Sequence, residues 1–323
     1  MLHSTNKTVA LMVIGKFGIE RPPIIKSQIG PLKFKLAVKY FGLFMDRNLK
    51  FHSHAKFVGE KAKLIMLRYA ALCGPRWGVG NNMNEMNVIY MGSFVPIITY
   101  AAQAWVDELN IKSRKQIISA HWCALIRITK PYRTTSTNAL EVLANVQPIM
   151  NELQTEKLRS CIRRSNLCSI YNTEYNIQLD RKTVINQLKA NLSAKWQSTW
   201  QNSTKGRITF DFSPNIQNRA TTTWIVPSYF ITQMFTGHGN FQEYLAKRQL
   251  SDTANCSCGE IENSTHLIYN CVNYTRDREI FIMKATLKGY TWPIPIAQLT
   301  NKDLHDEFIT LITTITTIKE NAP

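Results

Sequence analysis

Residues 256–271 read C-S-C-G-E-I-E-N-S-T-H-L-I-Y-N-C, and what these three cysteines and one histidine do decides how the end of the chain folds. The spacing C-x-C-x7-H-x4-C offers Cys256, Cys258, His266 and Cys271 as one ligand set. A structural zinc ion takes four thiolate or imidazole ligands in a tetrahedron. Cys256 and Cys258, backed by Gly259, make a turn-type half-site. His266 and Cys271 lie five apart, about one helical turn, so both can face one ion. The alternative is a set of ordinary loop cysteines. Against it, three of the seven cysteines fall within 16 residues, with a histidine at ligand spacing. A Cys3His set leaves no open coordination position, so the zinc expected here is a structural clip that does not catalyse.

Working outward, the other cysteines are scattered and the chain's total of seven is odd, which suits a reducing compartment. No charged n-region precedes an apolar run and cleavage site, so the expected location is nuclear or cytoplasmic, not secreted. The chain has 323 residues, 44% hydrophobic and 19% charged, enough apolar content for a true core and too much for disorder. Its formal charge of +17 favours a polyanionic partner, because each Lys or Arg set against a phosphate releases a condensed counterion. An anionic membrane surface and a merely basic solvated surface are the other readings. The charge is concentrated: ten Lys or Arg between Lys33 and Arg76 face only Asp46 and Glu60, and six between Lys112 and Arg133 face no acid.

The first 50 residues carry strand and turn signals. "TVALMVIG" (8–15) is an apolar run closed by glycine, "RPPII" (21–25) is an extended breaker, and "FKLAVKYFGLFMD" (34–46) alternates before a tight turn at Gly42. Helical patterning follows. A helix is expected over 54–73, ended by Gly74 and Pro75, and a second over 84–105. A third, over 111–130, puts Ile111, Ile118, Trp122 and Leu125 on one face and Lys112, Arg127 and Lys130 elsewhere. The 21 uncharged residues from Met86 to Val106 have the length of a membrane span. They also carry Asn87, Ser93, Pro96, Thr99 and Gln103, so a helix buried in a helical domain is expected instead, with no membrane partner.

"RTTSTNALEVLANVQPI" (133–149) supplies a Ser/Thr cap, an apolar run and a proline that opens the next helix. One or two helices are expected over 148–200, with Trp196 and Trp200 at i, i+4. Breakers dominate 205–240, and "FQEYLAKRQL" (241–250) is a short helix leading into the Cys/His cluster. The fold class is mainly α with a small β portion at the N-terminus.

Catalytic signals are weak. His238, in "TGHG", reads as a turn residue, and His52, His54 and His121 as structural ones. Two-metal nucleotidyl transfer needs clustered carboxylates, whereas Asp107–Glu108 and Asp306–Glu307 read as solvated helical faces.

Taken in order, several segments resemble the C-terminal part of a non-LTR (LINE-like) retrotransposon reverse transcriptase of the arthropod site-specific kind. "NKTVALMV" (6–13) resembles the Lys-containing palm strand, and "VKYFGLFMDRNLKFHSHAKFVGEKA" (38–62) the primer-grip hairpin and the start of the thumb. "VPIITYAAQAW" (95–105) and "LIRITKPYRTTSTNALEVLANVQPI" (125–149) are similar to the thumb and linker. "KGRITFDFSP" (205–214), "FTGHGNFQEYL" (235–245) and the Cys/His stretch resemble the region ending in a CCHC zinc knuckle. Phe41 stands where the family usually has Leu.

The resemblance implies a palm and primer-grip remnant over 1–50 and a helical thumb over 51–150. A helical linker over 151–240, a zinc knuckle over 241–290 and a helical tail over 291–323 would follow. It implies RNA and DNA partners, namely element RNA and target DNA, with Tyr40 and Gly42 near a primer terminus. Lys56, Lys61, Lys63, Arg68, Lys112, Arg127 and Lys130 would track phosphates, and Arg248, Arg276 and Arg278 would serve the knuckle. The aspartates that hold catalytic magnesium in the full-length polymerase are expected to precede this chain, which alone would not polymerise. A domesticated zinc-knuckle adaptor and a non-functional pseudogene product are the competing readings.

Overall fold

The structure, a computed structural model, describes residues 8–14, 23–27, 30–71, 83–163, 167–176 and 180–321. Short strands open the chain: β1 (Ala10–Leu11), β2 (Lys26–Ser27), β3 (Gly30–Pro31), β4 (Phe34–Lys35), β5 (Ala37–Tyr40) and β6 (Leu43–Asp46). Helices then dominate, at about 60% helix against 8% strand, as the patterning predicts. They are α1 (His52–Ala71), α2 (Met83–Ile89), α3 (Val95–Thr99), α4 (Ile111–Thr129), α5 (Thr137–Ala144) and α6 (Ile149–Ile162). A hairpin, β7 (Leu167–Ile170) and β8 (Thr173–Asn176), precedes α7 (Arg181–Gln201), α8 (Arg207–Phe212), α9 (Ile216–Thr221) and α10 (Tyr229–Thr236). The C-terminal elements are α11 (Gln242–Ala246), α12 (Ser264–Tyr269), α13 (Thr275–Leu287) and α14 (His305–Asn321).

The chain divides into two compact units. The first takes Met1–Arg68, Tyr90–His121 and Ile149–Leu188, and the second takes Tyr69–Ile89, Trp122–Pro148 and Lys189–Pro323.

In the first unit, β5 and β6 pair antiparallel from Ala37↔Asp46 to Tyr40↔Leu43, leaving Phe41 and Gly42 as a two-residue loop. Both have positive φ, 44° and 84°, the conformation that matches the twist of a hairpin. Glycine suits the second position on a further count: a Cβ at Gly42 would lie 3.1 Å from the Tyr100 ring. Tyr100 also donates its hydroxyl to the Phe41 carbonyl at 2.9 Å. Below the hairpin, Phe44 packs on Phe57 of α1 at 4.8 Å between centroids. His54 is fully buried edge-on to Trp105 at 5.0 Å, and its Nδ1 accepts from the Phe44 amide at 3.4 Å.

Burial lowers the His54 pKa from 6.5 to about 4, so the ring is neutral at pH 7. The unfolded chain therefore binds more protons between those two values. Stability is fully present above pH 6.5, falls as pH drops through that window, and loses about 3 kcal/mol in total. Acid titration of Trp fluorescence is expected to show this loss, and His54→Gln to flatten it.

The expected helix over 84–105 is interrupted. After α2 the chain widens into a π-type turn over Tyr90–Phe94, re-enters α3, and breaks at Ala101 with φ 50°. Pro96 is the physical cause that the sequence offers. It lacks the N–H that an unbroken helix would use there, and π-turns absorb such a fault. Among the described residues no helix is long and apolar enough to cross a membrane.

The buried face of α4 also differs from expectation. Ser113, Ile117, Ala120, His121, Ala124, Leu125 and Ile128 are buried, whereas Ile111 and Ile118 are exposed and Trp122 is half-buried. Burial follows the i, i+3/i+4/i+7 spacing of Ile117, Ala120, His121 and Ala124, which a reading weighted towards large apolar residues overlooks. The β portion also extends beyond the N-terminus. The hairpin at 167–176 interrupts a region read as helical, with Tyr171 and Asn172 in the left-handed region at its turn. Residues 72–82, including Gly74 and Pro75, and the closing Gly15 of the first apolar run lie outside the described residues.

The second unit is built around Phe212, Phe235, Phe281 and Phe308, with Phe212 and Phe235 stacked at 4.3 Å. Ser136 caps α5 as expected and Pro148 immediately precedes α6. The 205–240 stretch is a set of short helices, two of them capped by Asn215 and Ser228, since each breaker ends one helix and caps the next. Arg219 is buried and braces α5 to α9, donating to the carbonyls of Leu143 at 2.7 Å and Thr222 at 2.8 Å. Burial lowers its pKa to about 10, and these carbonyls sit at helix C-termini, where the macrodipole favours a cation.

Candidate metal centre and nucleic-acid interface

The ligand set converges as its spacing predicts. The donor atoms of Cys256, Cys258, His266 and Cys271 all lie within 4.8 Å of one another. Cys256 Sγ is 3.6 Å from Cys271 Sγ, Cys271 Sγ is 3.9 Å from Cys258 Sγ, and Cys258 Sγ is 3.2 Å from His266 Nε2. A tetrahedron with Zn–S bonds of about 2.3 Å has S···S edges of about 3.8 Å. The residues therefore fit zinc, both in donor chemistry and in edge length.

Local structure fixes each ligand. The Cys256 carbonyl accepts from the Gly259 amide at 2.9 Å, and the Cys256 amide donates to the Glu260 carbonyl at 2.7 Å, so the C-x-C half-site is a closed turn. Asn263 caps α12 by accepting from the His266 amide at 2.9 Å, which holds the histidine in the first helical turn. Arg278 is buried and donates to the Cys271 carbonyl at 2.9 Å. It therefore buttresses the clip from inside, a correction to the phosphate-contact role expected of it. Asn273 Nδ2 points at Cys256 Sγ from 3.9 Å and bonds Ser257 Oγ at 2.8 Å, a partner for the first half-site.

Electrostatics at the centre are divided. A backbone hydrogen bond from Glu260 holds the Cys258 thiol below its ordinary range, while burial pushes the Cys271 thiol up to about 12. A buried thiol of that kind becomes a ligand only when a cation stabilises its thiolate. The surrounding fold ties the clip to both neighbours. Glu262 is buried, accepts from the Gln242 amide at the start of α11 at 2.9 Å, and pairs with Lys319 of α14 at 2.5 Å.

The basic residues separate into groups. On α1 and α4, Lys56, Lys63, Lys112 and Lys115 line one groove of about 600 Å³ with an apolar floor. The helices meet there on small residues: a Cβ on Gly59 would lie 3.7 Å from the Ala120 Cβ. Lys61 lies apart with Lys39, Gly42 and Tyr100 around a second hollow of about 500 Å³ beside the hairpin turn. Tyr40 and Phe41 project from that turn, 60% and 77% exposed, in edge-on contact at 4.5 Å. Lys39 sits 5.0 Å from the Phe57 centroid.

Arg68 and Arg127 are exposed on α1 and α4, and Lys130 closes α4 in the left-handed region with φ 51°. Arg248 and Arg276 are exposed on the second unit. Lys115 and Lys39 were missed by the sequence reading. The i, i+3 spacing of Lys112 and Lys115 was the available signal for one of them. Three of the four acids in the acidic pairs are engaged with lysines: Asp107 with Lys157 and Glu108 with Lys50, each at 2.6 Å, and Glu307 with Lys288 at 2.8 Å.

With this geometry in view, the relatives decide the family. Over 263 residues, 80% of its length, the chain is 30% identical to the retrovirus-related Pol polyprotein from type-1 retrotransposable element R1 4 of Nasonia vitripennis. The chain belongs to the R1-type non-LTR retrotransposon Pol family. It is also 26% identical over 283 residues to the R1 Pol polyprotein of Bradysia coprophila, and 23% identical over 304 residues to R1 2 of Nasonia vitripennis. The Pol-family chain spans 66% of the first relative, 28% of the second and 71% of the third. No protein-family model matches it, and no solved structure matches it.

Proposed function

We propose that this chain is the nucleic-acid-holding part of an R1-type reverse transcriptase, which binds RNA and single-stranded DNA and carries one structural zinc. The groove of Lys56, Lys63, Lys112 and Lys115 carries the reading. Four exposed ammonium groups on two helices, against Glu60 as the one carboxylate in the lining, give the groove the surplus positive charge that a phosphate backbone needs. The exposed Tyr40–Phe41 turn supplies ring faces on which a base or primer end can stack. In the whole polymerase this surface would grip the primer–template, and the zinc clip would fold the C-terminal unit that presents Arg248 and Arg276.

Polymerisation is a separate matter. Two-metal transfer needs carboxylates free to converge on magnesium. Here Asp107 and Glu108 are held by different lysines, and Glu307 by a third. We therefore assign this chain a holding role with no polymerase activity of its own. Primer extension with magnesium, deoxynucleotides and an RNA template is expected to yield no product from the purified chain. Any templated product would overturn the assignment.

A further inference from the structure

The second unit contains a cavity of about 690 Å³ that the groove does not involve and that no relative's name describes. We propose that it is a nucleotide-phosphate pocket, which takes one phosphate and its attached nucleoside from single-stranded nucleic acid. The proposal rests on the nucleic-acid reading above and deepens it.

The chemistry of the walls selects an anion. Lys205 and Arg248 line the cavity, and no carboxylate is among its described lining residues. Thr134, Ser136 and neighbouring threonines line it as well. Thr137 and Asn138, in the first turn of α5, also line it, and amides of a first turn have no acceptor within their own helix. Ser136 occupies the cap by accepting from the Ala139 amide, which leaves the earlier amides to an incoming oxygen.

The site is also built. Gly206 sits in the left-handed region with φ +73°, and a Cβ there would lie 2.9 Å from Ala139 Cβ. Only glycine lets the Lys205 turn seat against the start of α5. Across the cavity, His238 Nδ1 is 3.0 Å from Thr134 Oγ1, which is itself 2.6 Å from the Tyr244 hydroxyl. His238 stacks on Tyr244 at 5.0 Å, and the Arg248 guanidinium lies 5.8 Å from the centroid of the same ring. Burial and Arg248 hold His238 below its ordinary pKa, so it serves as a neutral hydrogen-bonding wall. Together with Trp122, it adds ring surface to the cavity that Lys205 and Arg248 also line. A simple anion would use the cations alone, whereas a nucleotide uses cations and rings.

The test uses the full chain and a fluorescein-labelled oligothymidylate, read by anisotropy at several salt concentrations. The Lys205→Gln/Arg248→Gln variant is expected to bind roughly five- to thirty-fold more weakly, with a salt slope shallower by about 1.4 for two lost phosphate contacts on a single strand. Lys205→Arg is expected to keep wild-type affinity. Unchanged zinc content and melting temperature establish that the double variant is folded. Unchanged affinity and slope in that variant, while Lys56→Gln/Lys63→Gln lowers affinity, would overturn the pocket and leave the general reading intact. No salt-dependent binding by the wild type would sink both. Thymidine monophosphate is expected to compete better than inorganic phosphate; equal competition would overturn the nucleotide assignment.

Discussion

Purified protein is expected to hold one zinc ion, and the Cys258→Ser variant to hold none and to lose the cooperative unfolding of its C-terminal unit. Cys258 is the informative position. Cys256 and Cys271 are both buried in the Phe281–Phe308 core, so replacing either disturbs packing as well as ligation. Cys258 is only partly buried, so its loss removes a ligand and little else. Zinc binding in small Cys/His modules contributes about 10–16 kcal/mol to folding, as much as or more than the roughly 5–15 kcal/mol that separates a typical native domain from its unfolded state. Without the ion, the buried thiol of Cys271 has no cation, and the 251–274 segment loses the bond set that closes it. The checks are metal analysis by mass spectrometry and near-UV circular dichroism before and after chelation. Metal content unchanged by Cys258→Ser would remove the site, whatever its effect on stability.

The second large effect lies in the first unit. Replacing Lys56, Lys63, Lys112 and Lys115 together with glutamine is expected to weaken single-stranded RNA binding by about two orders of magnitude at 0.15 M salt. The estimate follows from counterion release, at about 0.7 of an ion for each phosphate neutralised on a single strand. Four lost contacts also reduce the slope of log affinity against log salt by about 3. All four side chains are solvent-exposed, so melting temperature is expected to hold. Loss of affinity with an unchanged slope would mean that the lysines act through folding or shape and do not meet phosphates.

Much of this site was legible in the residues themselves, because its signals are local. The four converging Cys and His residues occupy one 16-residue stretch, and the turns that aim them are set by Gly259 and the Asn263 cap within the same stretch. The hairpin turn at Phe41–Gly42 and the Ser136 cap were readable for the same reason. Which face of a helix is buried is a longer-range matter. Ile111 and Ile118 carry core-like side chains and are exposed, since the buried face of α4 follows the helical spacing of Ser113, Ile117, Ala120, His121 and Ala124, in which small and polar residues count as much as large apolar ones. Arg278 looked like a surface cation and is a buried strut, because a sequence does not show which way an arginine leaves its helix. His238 read as a turn residue, and only the fold brings it to Thr134, about a hundred positions earlier.

By itself, then, the sequence determined the mainly helical class, the basic first half, the Cys/His cluster and the resemblance that its relatives bear out. Tertiary structure alone decided which lysines share a groove, which arginine points inward, and that Lys319, near the end of the chain, reaches Glu262 beside the clip. The reason is range. Capping, turn chemistry and ligand spacing act over a few residues, whereas Lys56 and Lys112 line one groove because two helices distant in sequence approach at Gly59 and Ala120.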